Sequence, residues 1–166
     1  MKFYLVDHIQ ELAPPDRIVA VKNLTLAEEY LADHFPAYPV LPGVLMLEAL
    51  VQTAAWLVRV ATDFEKTLIL LKEARNVRYG TFVRPGGRLV MEVTALDIGP
   101  DASRFKAIGL CDDKTAVQAR LTLEHTNVAD EDPAGPEIDA SLRPFWRRRF
   151  ALIGGPRALE NGQPGA

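Results

Sequence analysis

Cysteine is almost missing from this chain of 166 residues. Cys111 stands alone, so no internal disulfide can form, and a reducing, cytoplasmic compartment fits. Basic residues are not in excess: 19 lysines and arginines face 22 acids, for a net charge of −3. That balance removes the positive field a nucleic-acid partner would need. Nothing in the composition asks for a metal or a redox cofactor, and none is expected. The N-terminus, MKFYLVDHIQEL, is broken by Asp7 and His8 too early for a signal peptide. Long uncharged apolar runs are also wanting. The nearest approach to a membrane span, Val44 to Ala61, carries Glu48, Gln52 and Arg59. A charge in mid-span costs about 2.5–3.5 kcal/mol on insertion scales, so a buried helix of a soluble domain is expected there instead.

The chain does have enough apolar residues, 48%, to build a real core. It also has one dense segment, HFPAYPVLPGVLMLE, from His34 to Glu48. Pro36, Pro39 and Pro42 each fix a φ angle and push the preceding residue out of the helical region. A loop so stiffened loses little entropy on ordering and can hold the His34 imidazole in place. Pro42 suits the first turn of a helix, where its missing N–H does no harm. The helix that follows, to about Val60, places Glu48 among Leu45, Met46, Leu47, Ala49 and Leu50. Imidazole can accept a proton near neutral pH, and a carboxyl in an apolar wall can deliver one. A base and an acid so placed are the two groups needed to remove water from a carbon chain. The N–H of Gly43, in the first turn, has no intrahelical acceptor and could hold an oxyanion. Gln52 lies one turn beyond Glu48 on the same face.

Around this helix the pattern is of strands. Arg17 to Leu24 is rich in β-branched residues. Thr67 to Tyr79, Arg88 to Ile98, Ser103 to Cys111 and Thr115 to His125 follow the helix, separated by Gly, Pro and Asp turns. Two of them alternate cleanly: Leu89, Met91, Val93 and Ala95 share one face, as do Val117, Ala119, Leu121 and Leu123. Phe3 to Leu12 is ambiguous, and Thr25 to Leu31 reads as one or two helical turns with Thr25 as N-cap. The expected class is α+β, an antiparallel sheet wrapping one long helix. From Ala129 the composition turns acidic, then basic and aromatic in Phe145 to Phe150. The expected division is therefore 1–128 for the domain and 129–166 for a linker and appendage outside the core fold.

The segment from His34 to Gln52 resembles the 3-hydroxyacyl-acyl-carrier-protein dehydratases of fatty acid synthesis, of the type with glutamate at the acid position. The resemblance extends over about Phe3 to His125, through Tyr4-Leu5-Val6-Asp7, the strand Arg17 to Asn23 and the turn Arg84-Pro85-Gly86-Gly87. Ala37 stands where the family usually has glycine, and Gly87 where it often has aspartate. The resemblance implies the hot-dog fold and conversion of a (3R)-3-hydroxyacyl thioester to the trans-2-enoyl thioester. It implies His34 and Glu48 as catalytic residues, with Glu48 either the acid or the anchor of the leaving water. Gly43, Val44, Gln52 and Tyr38 are the expected substrate-binding residues. It also implies a homodimer or a trimer of dimers, with histidine and acid supplied by different subunits. The implied partner is an acidic acyl-carrier protein, for which Lys72, Arg75, Arg78, Arg84, Arg88 and the run Arg147 to Arg149 are candidate contacts. A hot-dog thioesterase and a non-catalytic acyl-binding protein are the alternatives.

Overall fold

The structure is a computed structural model that describes residues 3–162. The outermost positions of the two expected ranges, 1–2 and 163–166, lie outside it. The ambiguous N-terminal segment forms strand β1 (His8–Ala13), which turns at Pro14-Pro15-Asp16 into β2 (Arg17–Asn23). Helix α1 (Gly43–Ala61) comes next, then the long strands β3 (Leu68–Tyr79), β4 (Arg88–Ile98), β5 (Ala102–Cys111) and β6 (Lys114–Thr126). All pairings are antiparallel, and the six strands lie in the order β1-β2-β4-β5-β6-β3.

Alternation in the sequence becomes burial in the fold. Leu89, Met91, Val93, Phe105, Val117, Leu121 and Leu123 are all 0–1% exposed and point from the sheet onto α1. The helix answers with Ala49, Leu50, Ala54, Leu57 and Val58. It is the one helix among the described residues long and apolar enough to cross a membrane, and the sheet encloses it. This is the hot-dog arrangement, and truncating a core side chain such as Leu50 to alanine would cost about 2–5 kcal/mol.

Two local expectations change. Only Glu29–Leu31 is helical in the stretch after β2, as a single 3-10 turn. Thr25 does not cap it. Its hydroxyl accepts a bond from the Ala27 N–H at 3.2 Å, while Glu28 is drawn to the buried Lys22 ammonium at 2.6 Å.

The larger correction concerns the C-terminal stretch, which is not outside the core. It forms α2 (Gly135–Leu152) and α3 (Gly155–Gly162), joined by Gly154 at φ +83°. A side chain at Gly154 would also strike the His8 ring, 2.4 Å from the would-be Cβ. Phe150, Ile153 and Ala158 are buried with the rest of the core. The Phe150 ring packs against Trp56 of α1 and against Phe64, with centroids 6.0 and 5.8 Å away. Asp139 ties α2 down: its carboxylate accepts bonds from the Thr67 hydroxyl and from the amides of Val128 and Ala129. The α2–α3 corner also covers the β1 edge of the sheet, where Ile9 N–H donates to the Ile153 carbonyl at 2.8 Å. Acidic composition suggested a linker, but Asp130, Asp132 and Asp139 accept structural hydrogen bonds.

The opposite edge is open. Strand β3 has twelve residues and pairs only with β6 among the described residues, leaving Leu70, Leu71 and Tyr79 40–53% exposed. A long, apolar, unpaired edge is a template for a second strand.

Candidate active site

The loop before α1 is held at its C-terminal half. Val40 and Leu41 are buried, and Leu41 N–H donates to the Val83 carbonyl at 2.9 Å. His34, half-buried, reaches across this loop so that Nδ1 lies 3.0 Å from the Val40 carbonyl oxygen. A carbonyl can only accept, so Nδ1 carries the proton and donates it. That fixes the neutral ring in the tautomer whose Nε2 lone pair is free to act as a base. The Phe35 ring stands edge-on to the imidazole, 4.5 Å between centroids. Phe35 itself has φ +53°, whereas Ala37 has no positive φ. The strained position is thus one residue after the histidine, at a cost of about 1–3 kcal/mol, and alanine at 37 is tolerated.

Helix α1 starts where expected. The Gly43 N–H donates no backbone hydrogen bond among the described residues, so it is available to an anionic oxygen. The glycine leaves room for a close neighbour: a Cβ there would lie 3.1 Å from the Tyr79 ring. Val44 is 69% exposed. Tyr38 is exposed too, its ring edge-on to Phe82 and under the Arg84 guanidinium at 4.4 Å. Phe35, Tyr38, Val44, Tyr79 and Phe82 therefore gather exposed apolar surface at this end of the helix.

Glu48 sits about one and a half turns beyond Gly43. It is half-buried in the single chain, less enclosed than its apolar neighbours in sequence suggested. Gln52 is fully used around it: Nε2 donates to Glu48 Oε1 and to the Phe3 carbonyl, and Oε1 accepts from the Leu5 N–H, each at 2.9 Å. The amide thus fixes the carboxyl group and clamps the N-terminal segment to the helix. Both side chains line a cavity of about 260 Å³ that runs along α1.

His34, Tyr38, Gly43 and Val44 do not line that cavity. Within one chain the structure brings Glu48 and Gln52 together, and it keeps His34 and Gly43 at the open end of the helix. Most lining residues escaped the sequence reading, among them Arg59 and Trp56 from α1, and Trp146 from α2. The available signal was register. Residues 48, 52, 55 and 59 follow the spacing of one helix face, so Arg59 shares a stripe with the two expected site residues.

Comparison with known proteins puts this geometry in context. The family model for the FabA-like domain matches residues 1–120. A 3-hydroxyacyl-[acyl-carrier-protein] dehydratase FabZ of Ligilactobacillus salivarius is 38% identical over 118 residues, covering 71% of this chain and 84% of the relative. The protein of the same name from Albidiferax ferrireducens is 39% identical over 130 residues, covering 76% and 87%. Among solved structures, the dehydratase heterocomplex ApeI:P from Xenorhabdus doucetiae superposes with a TM-score of 0.64 at 16% identity, over 76% of this chain and 86% of that one. A thioesterase from Haemophilus influenzae gives 0.54 at 17% identity, over 70% and 76%. At such low identity these two structures speak for the fold alone. The sequence relatives and the family model go further: the chain belongs to the FabA-like dehydratase family.

Proposed function

We propose that this protein dehydrates (3R)-3-hydroxyacyl-acyl-carrier protein to the trans-2-enoyl form in fatty acid or related acyl synthesis. The observation that carries the reading is the division of labour along α1. A histidine with a free Nε2 and an unpaired amide stand at the helix start, and a glutamate clamped by Gln52 faces an apolar cavity.

His34 Nε2 takes the proton from C2. The C–H electron pair becomes the C2=C3 double bond, and the C3–O bond breaks. The Gly43 N–H holds the thioester oxygen as charge builds there. Glu48, or the protonated His34 itself, returns a proton to the departing oxygen, which leaves as water. Gln52 keeps one Glu48 oxygen engaged and leaves the other for the substrate hydroxyl.

Because His34 does not share the Glu48 cavity in one chain, the working site combines His34 of one subunit with Glu48 of the partner subunit. The open β3 edge supports a homodimer in which the two sheets join, and the exposed aromatic surface near Val44 supports further assembly into a trimer of dimers. The acidic carrier docks near the site entrance, where Arg78, Arg84 and Arg88 are exposed and without ion pairs among the described residues. Lys72, Arg75 and Arg147 are partly occupied by Glu124, Glu73 and Asp63. A cytoplasmic setting fits the single buried thiol.

The test follows both products. Purified protein is given (3R)-3-hydroxyacyl-acyl-carrier protein while enoyl absorbance and free thiol are recorded. Enoyl formation without thiol release is expected. Thiol release in its place would identify a thioesterase, and binding without interconversion a non-catalytic acyl carrier.

A further inference from the structure

The inner end of the cavity carries a charge that the dehydration does not use. Arg59 is only 7% exposed, and its Nε has no hydrogen-bond partner. No carboxylate of the described chain pairs with it, and burial alone pulls its pKa down to about 10. The group is therefore still a cation at neutral pH. Its guanidinium carbon lies over two aromatic rings, 4.1 Å from the Trp146 centroid and 5.3 Å from that of Trp56. Its Nε–H is buried without an acceptor, which is costly beside a buried charge. The edge of a guanidinium matches a carboxylate through two parallel hydrogen bonds. A second cation, Arg149, lines the same cavity, and Glu48 is its only acid.

We propose that this end of the cavity is a subsite for a carboxylate at the far end of the acyl chain, so that the preferred substrates are ω-carboxylated 3-hydroxyacyl thioesters. This rests on the dehydratase reading above and adds the substrate class to it. Arg59 and Glu48 are eleven residues apart, about 16 Å along the helix axis. Side chains on a helix lean toward its N-terminus, and this moves both groups alike, so the span is largely kept. The subsite thus sits a medium-length chain away from the reacting carbons. A methyl-ended chain would leave the guanidinium desolvated and unpaired.

The test compares 3-hydroxyacyl chains of equal length on acyl-carrier protein, ending in methyl or in carboxylate, across a series of lengths. Wild type should favour the carboxylate end by roughly 10–100-fold in kcat/KM, the scale of a charged hydrogen bond. Arg59→Met should reverse the preference, and Arg59→Lys should recover part of it. Equal or better use of methyl-ended chains by wild type overturns the proposal and leaves the dehydratase reading intact. So does a carboxylate preference that survives Arg59→Met. Should neither chain be dehydrated, the dehydratase reading fails, and binding still decides the subsite. The two tryptophans of the chain, Trp56 and Trp146, both line the cavity, so their fluorescence reports titration with saturated pantetheine thioesters of each kind. Tighter binding of the carboxylated thioester supports the subsite, and equal binding overturns it. A crystal of the oligomer with a carboxylate of a second copy seated on Arg59 also overturns it.

Discussion

The two ends of helix α1 are built on opposite terms. At its start, a proline-stiffened loop presents His34 and Gly43 to the surface, amid exposed Phe35, Tyr38, Val44 and Phe82. At its finish, Trp56 and Arg59 are roofed by α2, with Trp146, Phe150 and Phe64 in edge contact. The first end is left open by the single chain, and the proposed dimer would complete it. The second is finished by the chain's own C-terminal stretch. In the proposed assembly the reacting groups depend on a neighbour, and the Arg59 end of the cavity depends on a helix beyond the family-matched residues 1–120.

The sharpest way to break this contrast is to remove the roof. Sequence alone placed the C-terminal stretch outside the core fold. The structure reverses that expectation, because deletion of residues 135–162 uncovers the β1 edge and strips Phe150, Ile153 and Ala158 from the core. Loss of several buried side chains at about 2–5 kcal/mol each exceeds much of a domain's stability. Insoluble or molten protein is expected, checked by circular dichroism and thermal melting. A truncated protein that melts like wild type would restore the appendage reading.

Next in size is the open end. His34→Ala should lower kcat by about 10²–10⁴-fold, the range for a lost general base, with the melting temperature unchanged. Wild-type turnover from His34→Ala would remove the histidine from the mechanism. Gly43→Ala should act through geometry, since the new methyl crowds the Tyr79 ring and the approach to the amide. A drop of about 10-fold or more in kcat with little change in stability is expected if the amide holds the oxyanion.

A smaller effect is expected at the clamp that fastens the roof. The Asp139 carboxyl is buried, which by itself raises its pKa. Bonds from Thr67, Ala129 and Val128 and the charge of Arg143 outweigh that and hold it below the usual carboxylate range. Its contribution is present above the unfolded value near 3.9 and is lost as pH falls through the lower folded value. Asp139→Asn should cost about 1–3 kcal/mol in urea unfolding at pH 7, with the gap to wild type closing below about pH 4. A gap that stays constant with pH would mean that the charge is not what fastens α2.

How much of this was legible depended on where the apolar residues point. Strands β4 and β6 bury one face each, so Leu89-Met91-Val93 and Val117-Ala119-Leu121-Leu123 could be read directly. Strand β3 alternates poorly because its outer edge is bare in the single chain. Helix α2 was missed because Pro144 lies inside it and three arginines run together near its end. Its signal was the four-residue recurrence of Ile138, Leu142, Trp146 and Phe150, masked by that proline and the arginines among them. His34, Gly43, Glu48 and Gln52 stood out because loop stiffness and helix phase are local properties. Arg59 did not, because a buried arginine is visible as such only once Trp146 closes over it.

The central claim is that one subunit's base serves its partner's acid, and complementation measures it directly. His34→Ala and Glu48→Gln proteins, each inactive alone, are mixed, dissociated and reassembled. Random reassortment makes half of the dimers mixed, each with one intact site, so about a quarter of wild-type activity should return. If mixed dimers form, by mass analysis of differently tagged chains, and no activity returns, the shared-site account is wrong.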